Sequence, residues 1–364
     1  MKANMSGFDL RAIVGELSQY VGAYVKKSYM PHYEQIVLRI NPKEASQFDL
    51  VIVRGSRIYT SNRDRPMPQT PPPFAMVLRK YLKNARLTAV RQLGFDRVLA
   101  LDFDTKFGAM HLYVEVFREG NIILVDDEGI IIQPLTHAKY SGRILKKGVQ
   151  YSPPPPAIDP HDLDEASLSE IFAKSERDLV ATLGGKANLG GTHANAVCAL
   201  AGIAPNSPPQ EVEVKLVYQA LNSLLSSLAS DAKGYLILSP EGDQSVNQLQ
   251  LLANQQTDGF ERDKFLAQHG NEASPTLLPA HDGKAIMEFD QLCQAVDAWR
   301  GAHDAGALAR REAEKLDIAS PGRGFSTEVE KLERRQAQQE KALDGFAKKI
   351  AKQQMIGHTI LNNW

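Results

Sequence analysis

The chain has 364 residues, 43% of them hydrophobic, enough for ordinary cores in two or three domains at ~150 residues each. Its two cysteines, Cys198 and Cys293, stand far apart and in no ligand spacing, which argues against a disulfide scaffold or a cysteine-held zinc and fits a reducing cytosol. The formal charge of −1 conceals a division: residues 1–150 hold 22 Lys+Arg against 14 Asp+Glu, and residues 151–364 hold 20 against 29.

Ser6 is placed to cap a first helix, with Asp9 in its first turn and Ile13, Leu17, Val21 and Tyr24 along its apolar face. Short strands are expected at 35–40, 49–54 and 57–60, turning at Gly55. A proline-rich stretch then leads into the segment from Phe74 to Val98. This segment holds Arg79, Lys80, Lys83, Arg86, Arg91 and Arg97 against a single acid, Asp96. Phe74, Val77, Leu78, Tyr81 and Leu82 fall at helical spacing, so its first half is expected to be a helix with one apolar stripe and one basic face. Leu93, Phe95 and Val98 are expected to start a strand over 97–104, followed by strands at 110–117, 121–125 and 129–133. The class is α+β with a largely antiparallel sheet. Arg79, Lys80, Lys83, Arg86 and Arg97 are expected on one continuous cationic surface. A folded basic surface without a metal cluster or a membrane span points first to nucleic acid.

Pro153 to Pro156 form a stiff spacer and the clearest boundary. Beyond it, helices are expected at 167–182, from Thr192 to Gly202, and over 210–230. A strand follows at 235–238, another near Leu277, and a short helix around 289–299. Thr327 and Glu330 make a capping box for a final helix. Its heptad positions from Val329 to Ile360 support a loosely specified coiled-coil arm that is cut off at Trp364. This ending suggests a piece of a longer protein.

LGGKANLGGTHANAVCALAGI at 183–203 has the form of a helix-hairpin-helix. Gly190 and Gly191 permit the turn, and the N–H groups of a helix from Thr192 suit a backbone phosphate; an ordinary packed helical hairpin fits as well. Asp96-Arg97 at a loop-to-strand junction suits a phosphate or a base edge, with a surface ion pair as the plainer alternative. Asp9 is equally a capping acid. Walker loops, GxSxG, HExxH and paired Cys/His ligands do not occur, so neither catalytic residues nor a metal or cofactor is expected. The first thirty residues hold no signal core, and no run of 18 apolar residues occurs anywhere. A cytoplasmic protein without a membrane partner is therefore expected.

MSGFDLRA at 5–12, FAMVLRKYLKNARL at 74–87, QLGFDRV at 92–98, GNIILVD at 120–126, the glycine hairpin and SPTLLPAHDGKAIMEFDQLCQAVDAWR at 274–300 together resemble the NFACT family, in its archaeal form. The resemblance implies an NFACT-N domain with a first lobe over 1–152, related in fold to Fpg/Nei DNA glycosylases. It also implies a linker and helix-hairpin-helix module over 153–232, a small α/β segment over 233–324, and the start of the arm over 325–364. It further implies a ribosome-associated quality-control factor that binds tRNA and the large ribosomal subunit with stalled peptidyl-tRNA, and supports template-free tailing of the nascent chain. Asp96-Arg97 match the family's functional Asp-Arg pair and Asp9 its acid after the first Gly-Phe; with Arg11 they are the expected tRNA-binding residues. Arg79, Lys80, Lys83, Arg86, Gly190, Gly191 and Thr192 are expected on RNA backbone. The rival expectation from the same fold is a DNA-binding or DNA-repair protein.

Overall fold

The computed structural model describes residues 4–306 except 69, 118–119, 141, 231–232, 243 and 257–258. Residues 1–308 form one compact unit. The arm expected from Thr327 lies outside the described residues.

Helix α1 (Gly7–Ser18) begins at a capping box in which the Ser6 side chain accepts from the Asp9 N–H and Asp9 reaches back to the Ser6 N–H. It ends earlier than the apolar spacing suggests. Gly22 takes φ +95, and Tyr24, expected on the helix, instead opens strand β1 (Tyr24–His32). Two irregularities in the β1–β2 register, at Val25/Lys27 and Tyr29/His32, break the two-residue alternation, which is why the sequence pattern hides this strand. Strands β2 (Gln35–Asn41), β3 (Phe48–Val53) and β4 (Arg57–Ser61) follow the expected spans closely.

Helix α2 (Pro73–Leu82) starts on a proline, where the missing N–H costs least, and stops as Lys83 turns extended and Asn84 takes φ +61. Strand β5 (Arg86–Gln92) comes next, so Arg86 belongs to a strand and not to the basic helix. The rest of the large sheet is β6 (Val98–Thr105), β7 (Gly108–Glu115), β8 (Ile122–Asp126) and β9 (Ile131–Pro134). Nine strands run in the order β4-β3-β2-β1-β5-β6-β7-β8-β9, with every described pairing antiparallel. The β1–β5 junction is narrow, with Tyr24 opposite Arg86, so the sheet is nearly two half-sheets. A small hairpin follows, β10 (Ala138–Tyr140) and β11 (Arg143–Leu145). The Arg143 guanidinium pairs there with fully buried Glu115 of β7.

After the proline spacer, the helix expected over 167–182 divides into α3 (Glu165–Ala173) and α4 (Leu179–Gly185). Asp178 breaks it by capping α4, accepting from the Ala181 N–H at 2.8 Å. Helices α5 (Gly190–Ala201) and α6 (Val214–Ser230) complete this module, and Gly202 closes α5 at φ +68. The chain then adds β12 (Gly234–Leu238), α7 (Val246–Gln255), α8 (Phe260–His269), β13 (Gly270–Ser274) and β14 (Ala285–Phe289). It ends among the described residues with α9 (Leu292–Val296), a π-helical turn at Asp297–Gly301, and α10 (Ala302–Ala305). The strand expected near Leu277 is displaced: β13 ends at Ser274, and Leu277 is a half-exposed loop residue.

One core joins the large sheet to this last segment, since Leu236, Leu249, Leu292 and Trp299 share a cluster with Leu10, Ile36, Leu78 and Leu101. The helical module has a second core. Phe8 of α1 and Phe95 of the β5–β6 turn enter it and pack with Leu168, Leu183, Val197 and Leu221.

Candidate nucleic-acid interface

Gly-Phe-Asp occurs twice, at 7–9 and 94–96, and the fold brings the two copies together. The rings of Phe8 and Phe95 meet at 4.7 Å with their planes at 68°, an edge-to-face contact. Both are buried, and Phe8 also lies 4.3 Å from the His193 ring of α5. The approach is tight enough that a β-carbon on Gly7 would stand 2.9 Å from the Phe95 ring.

Polar contacts hold the same junction. The Gln92 amide donates to the Gly7 carbonyl at 3.0 Å and to the Asp96 carbonyl at 2.9 Å. Its oxygen accepts from Arg11 Nε at 2.6 Å. Arg11 also donates to the Gly94 carbonyl and to the Asp159 carboxylate, at 3.2 and 3.3 Å, and its guanidinium sits 5.3 Å from the Phe95 centroid. Burial opposes charge on Asp159, but the His161 N–H, the His161 ring and Arg11 outweigh it and hold this carboxyl below the usual range. Asn188, in the left-handed region at φ +57, donates to the carbonyls of Phe95 (3.3 Å) and Ile158 (2.8 Å). One side chain thus ties the glycine hairpin to the turn and to the linker.

The β5–β6 turn at Leu93–Arg97 presents the expected pair differently from an ion pair. Asp96 Oδ1 accepts from the backbone N–H of Arg97 at 2.7 Å, so the acid shapes the turn. The exposed Arg97 guanidinium makes no hydrogen bond or ion pair among the described residues. Asp9 is almost fully buried, and its carboxylate accepts from Ser6 N and Oγ at 2.7 and 2.8 Å. The capping role is therefore filled.

Helix α5 begins at Gly190, two residues before the expected start, so Thr192 is its third residue. The left-handed positions of the hairpin are Asn188 and Gly190 (φ +69), whereas Gly191 needs no glycine conformation and has open space where a β-carbon would stand. Gly190, Gly191 and Thr192 are all exposed, and Leu189 at the N-cap offers no side-chain acceptor to the first-turn N–H groups.

The single continuous cationic surface expected from the sequence does not form. Arg86 opens β5 and Arg97 lies in the turn beyond its other end, so the length of the strand, ~20 Å at ~3.3 Å per residue, separates them. Arg79 is half-buried: its Nε donates to the Ser28 carbonyl at 2.8 Å and its guanidinium stacks 5.4 Å from the Tyr29 centroid. Lys80 and Lys83 are exposed, and Arg86 forms an exposed pair with Asp104 at 3.6 Å. Two basic sites remain, Arg11 with Arg97 at the hairpin end and the α2 cations at the other. Gln92, Asp159, Asn188 and His193 escaped the sequence reading. The one sequence signal that points toward them is the repeated Gly-Phe-Asp. Among the described residues no group of three or more His, Cys, Asp or Glu is placed to hold a metal. No helix there is long and apolar enough to cross a membrane.

An archaeal Rqc2 homolog, aRqcH, from Methanocaldococcus jannaschii is 31% identical over 250 residues, covering 65% of this chain and 37% of that protein. The human ribosome quality control complex subunit NEMF is 35% identical over 178 residues, 49% of this chain and 16% of that protein. The matches thus span well under half the length of these relatives. The N-terminal part of the fibronectin/fibrinogen-binding protein from Streptococcus suis superposes with a TM-score of 0.51 at 22% identity, over 70% of this chain and 100% of that one. The fibrinogen binding protein from Staphylococcus aureus gives 0.58 at 17% identity, over 80% and 97%. At these identities the likeness shows the fold alone. The family model for NFACT N-terminal and middle domains matches residues 6–363, and the chain that joins its two Gly-Phe-Asp segments to a glycine hairpin belongs to that family.

Proposed function

We propose that this chain is the tRNA-binding part of a ribosome-associated quality-control factor. On this reading it acts on the large ribosomal subunit carrying stalled peptidyl-tRNA, in the cytoplasm, and supports template-free extension of the nascent chain without being an enzyme itself. The human relative is named as a ribosome quality control complex subunit and the archaeal one as an Rqc2 homolog, which supports the setting. One observation carries the RNA reading. The exposed Arg97 guanidinium projects from a turn held rigid by Asp96, Gln92 and the Phe8–Phe95 contact, and Asn188 fastens the hairpin that carries exposed Gly190 to Thr192 to the same turn. A cation without a partner among the described residues, joined through Asn188 to a helix N-terminus without a side-chain cap, suits a polyanionic backbone. Asp9 serves there by fixing α1, and Arg11 by bridging α1 to the turn.

The test is a gel-shift titration of deacylated tRNA against the wild-type chain and an Asp96→Ala/Arg97→Ala variant. Binding by the wild type that weakens in the variant supports the proposal. Equal binding by both would show that the turn is not the contact. Nicking of damaged duplex DNA, trapped by borohydride, would instead establish the DNA-repair reading.

A further inference from the structure

At the end of the large sheet away from Arg97, half-buried Tyr81 of α2, which packs against the main core, meets exposed Phe107 of the β6–β7 turn. Tyr81 and Phe107 lie 5.1 Å apart between centroids, their planes inclined at 53°. Phe107 is 44% exposed and Met76, on the same helix as Tyr81, is 52% exposed, whereas Phe103 four residues back along β6 is buried at 1%. A phenylalanine left in water at the tip of a turn contributes little to folding.

Cations surround the rings. Lys80 Nζ stands 4.9 Å from the Tyr81 centroid and Lys106 Nζ 4.9 Å from that of Phe107. Exposed Lys83 and Arg86 follow α2 into β5. Two acids lie nearby, Asp104 paired with Arg86, and Asp127, whose carboxylate approaches Gly108. The cations alone would attract any polyanion. The aromatic faces narrow the choice, because a paired duplex keeps its base faces stacked on one another and an unpaired strand offers them. An exposed cation–π contact is weaker than base–aromatic stacking, so an arriving base can displace a lysine from its ring and leave that ammonium for a flanking phosphate.

We infer that the Tyr81–Phe107 pair is a docking platform for unpaired RNA nucleotides, with one base stacked on the rings and Lys80, Lys83 and Lys106 holding neighbouring phosphates. The inference rests on the RNA-binding reading above, but it assigns a second site with its own ligand class, about the length of β5 from the Arg97 turn.

The experiment measures fluorescence anisotropy of the whole chain with three probes: a labelled oligouridylate of about a dozen residues, a blunt RNA duplex of the same length, and deacylated tRNA. Phe107→Ala is expected to weaken oligouridylate binding by about 5- to 150-fold, the worth of one stacked base, and to leave duplex binding unchanged. Phe107→Trp should retain the affinity. Phe107 is exposed, so circular dichroism of both variants should match the wild type. Oligouridylate binding that ignores Phe107 but falls in Lys80→Ala would make the patch a phosphate surface and overturn the platform, leaving the RNA reading intact. A dimer of the wild-type chain that Phe107→Ala dissociates, with RNA affinity unchanged, would make it a self-association face and likewise overturn it. A wild-type chain that binds none of the three probes would reject the RNA reading and the platform together.

Discussion

Replacing Asp96 and Arg97 with alanine separates recognition from folding, because the two side chains contribute so differently to each. The exposed Arg97 guanidinium has no hydrogen-bonded partner among the described residues, so its removal should cost almost nothing in stability. Asp96 gives up one bond to the Arg97 N–H, made at 2.7 Å near the surface, worth ~0.5–1.5 kcal/mol. At about 2–4 °C per kcal/mol for a unit of this size, the melting temperature of the double variant should fall by no more than a few degrees. Neighbouring Phe95 behaves oppositely. It is 2% exposed and plugs the core of the helical module, so Phe95→Ala should cost ~3–5 kcal/mol. tRNA affinity should reverse the ranking for the turn: loss of one base contact removes ~1–3 kcal/mol, about 5- to 150-fold. If Arg97 instead contacts phosphate, the slope of log affinity against log salt should flatten by ~0.7–0.9. The assay pairs differential scanning calorimetry with anisotropy titrations at several salt concentrations. A double variant that unfolds, or one that binds tRNA with the wild-type affinity and slope, would refute the assignment of these two residues to recognition.

Three further outcomes are expected. Gly190→Val should destabilise the hairpin by ~1–3 kcal/mol because φ +69 strains a branched residue, whereas Gly191→Ala should be close to neutral by denaturant titration; equal effects would contradict the hairpin geometry. The double change Lys80→Ala/Lys83→Ala should weaken binding alike across different tRNAs and reduce the salt slope by ~1 per lost contact, and an unchanged slope would remove α2 from the interface. Asp304 is buried, but His303, Arg57 and the Tyr59 hydroxyl hold its carboxyl below the ordinary value despite the cost of burial. A depressed folded pKa contributes stability above the unfolded value of ~4 that is lost as pH falls through the folded one. Asp304→Asn should therefore lower stability at neutral pH by ~3–5 kcal/mol, and the deficit should shrink in acid. A deficit constant down to pH ~2 would show that the cluster does not act through charge.

Local signals in the sequence were strong where the chain obeys one period or one cap. Ser6 with Asp9 announced α1, the prolines before Phe74 announced α2, and the alternating runs from Gln35 to Ser61 and from Val98 to Pro134 placed seven of the nine strands in the large sheet. Gly202 marked the end of α5 and the proline spacer marked the passage to the helical module. The remaining two strands, β1 and β5, were hidden because register shifts at Val25/Lys27, Tyr29/His32 and Leu87/Ala89 interrupt the two-residue period that makes a strand visible. With β5 hidden, the sequence groups Arg86 with the α2 cations on a single cationic face. Spacing along the chain measures neighbours only within one element, and the length of β5 separates Arg86 at its start from Arg97 in the turn beyond its end. The candidate site depended on contacts far apart in sequence: Phe8 with Phe95, Gln92 with Gly7, Asn188 with Phe95. Their pairing is decided by which surfaces remain apolar once each element has formed. Two phenylalanines in identical tripeptides share one core because the β5–β6 turn and α1 both present them to the helical module, a choice that tertiary packing makes and local propensity does not.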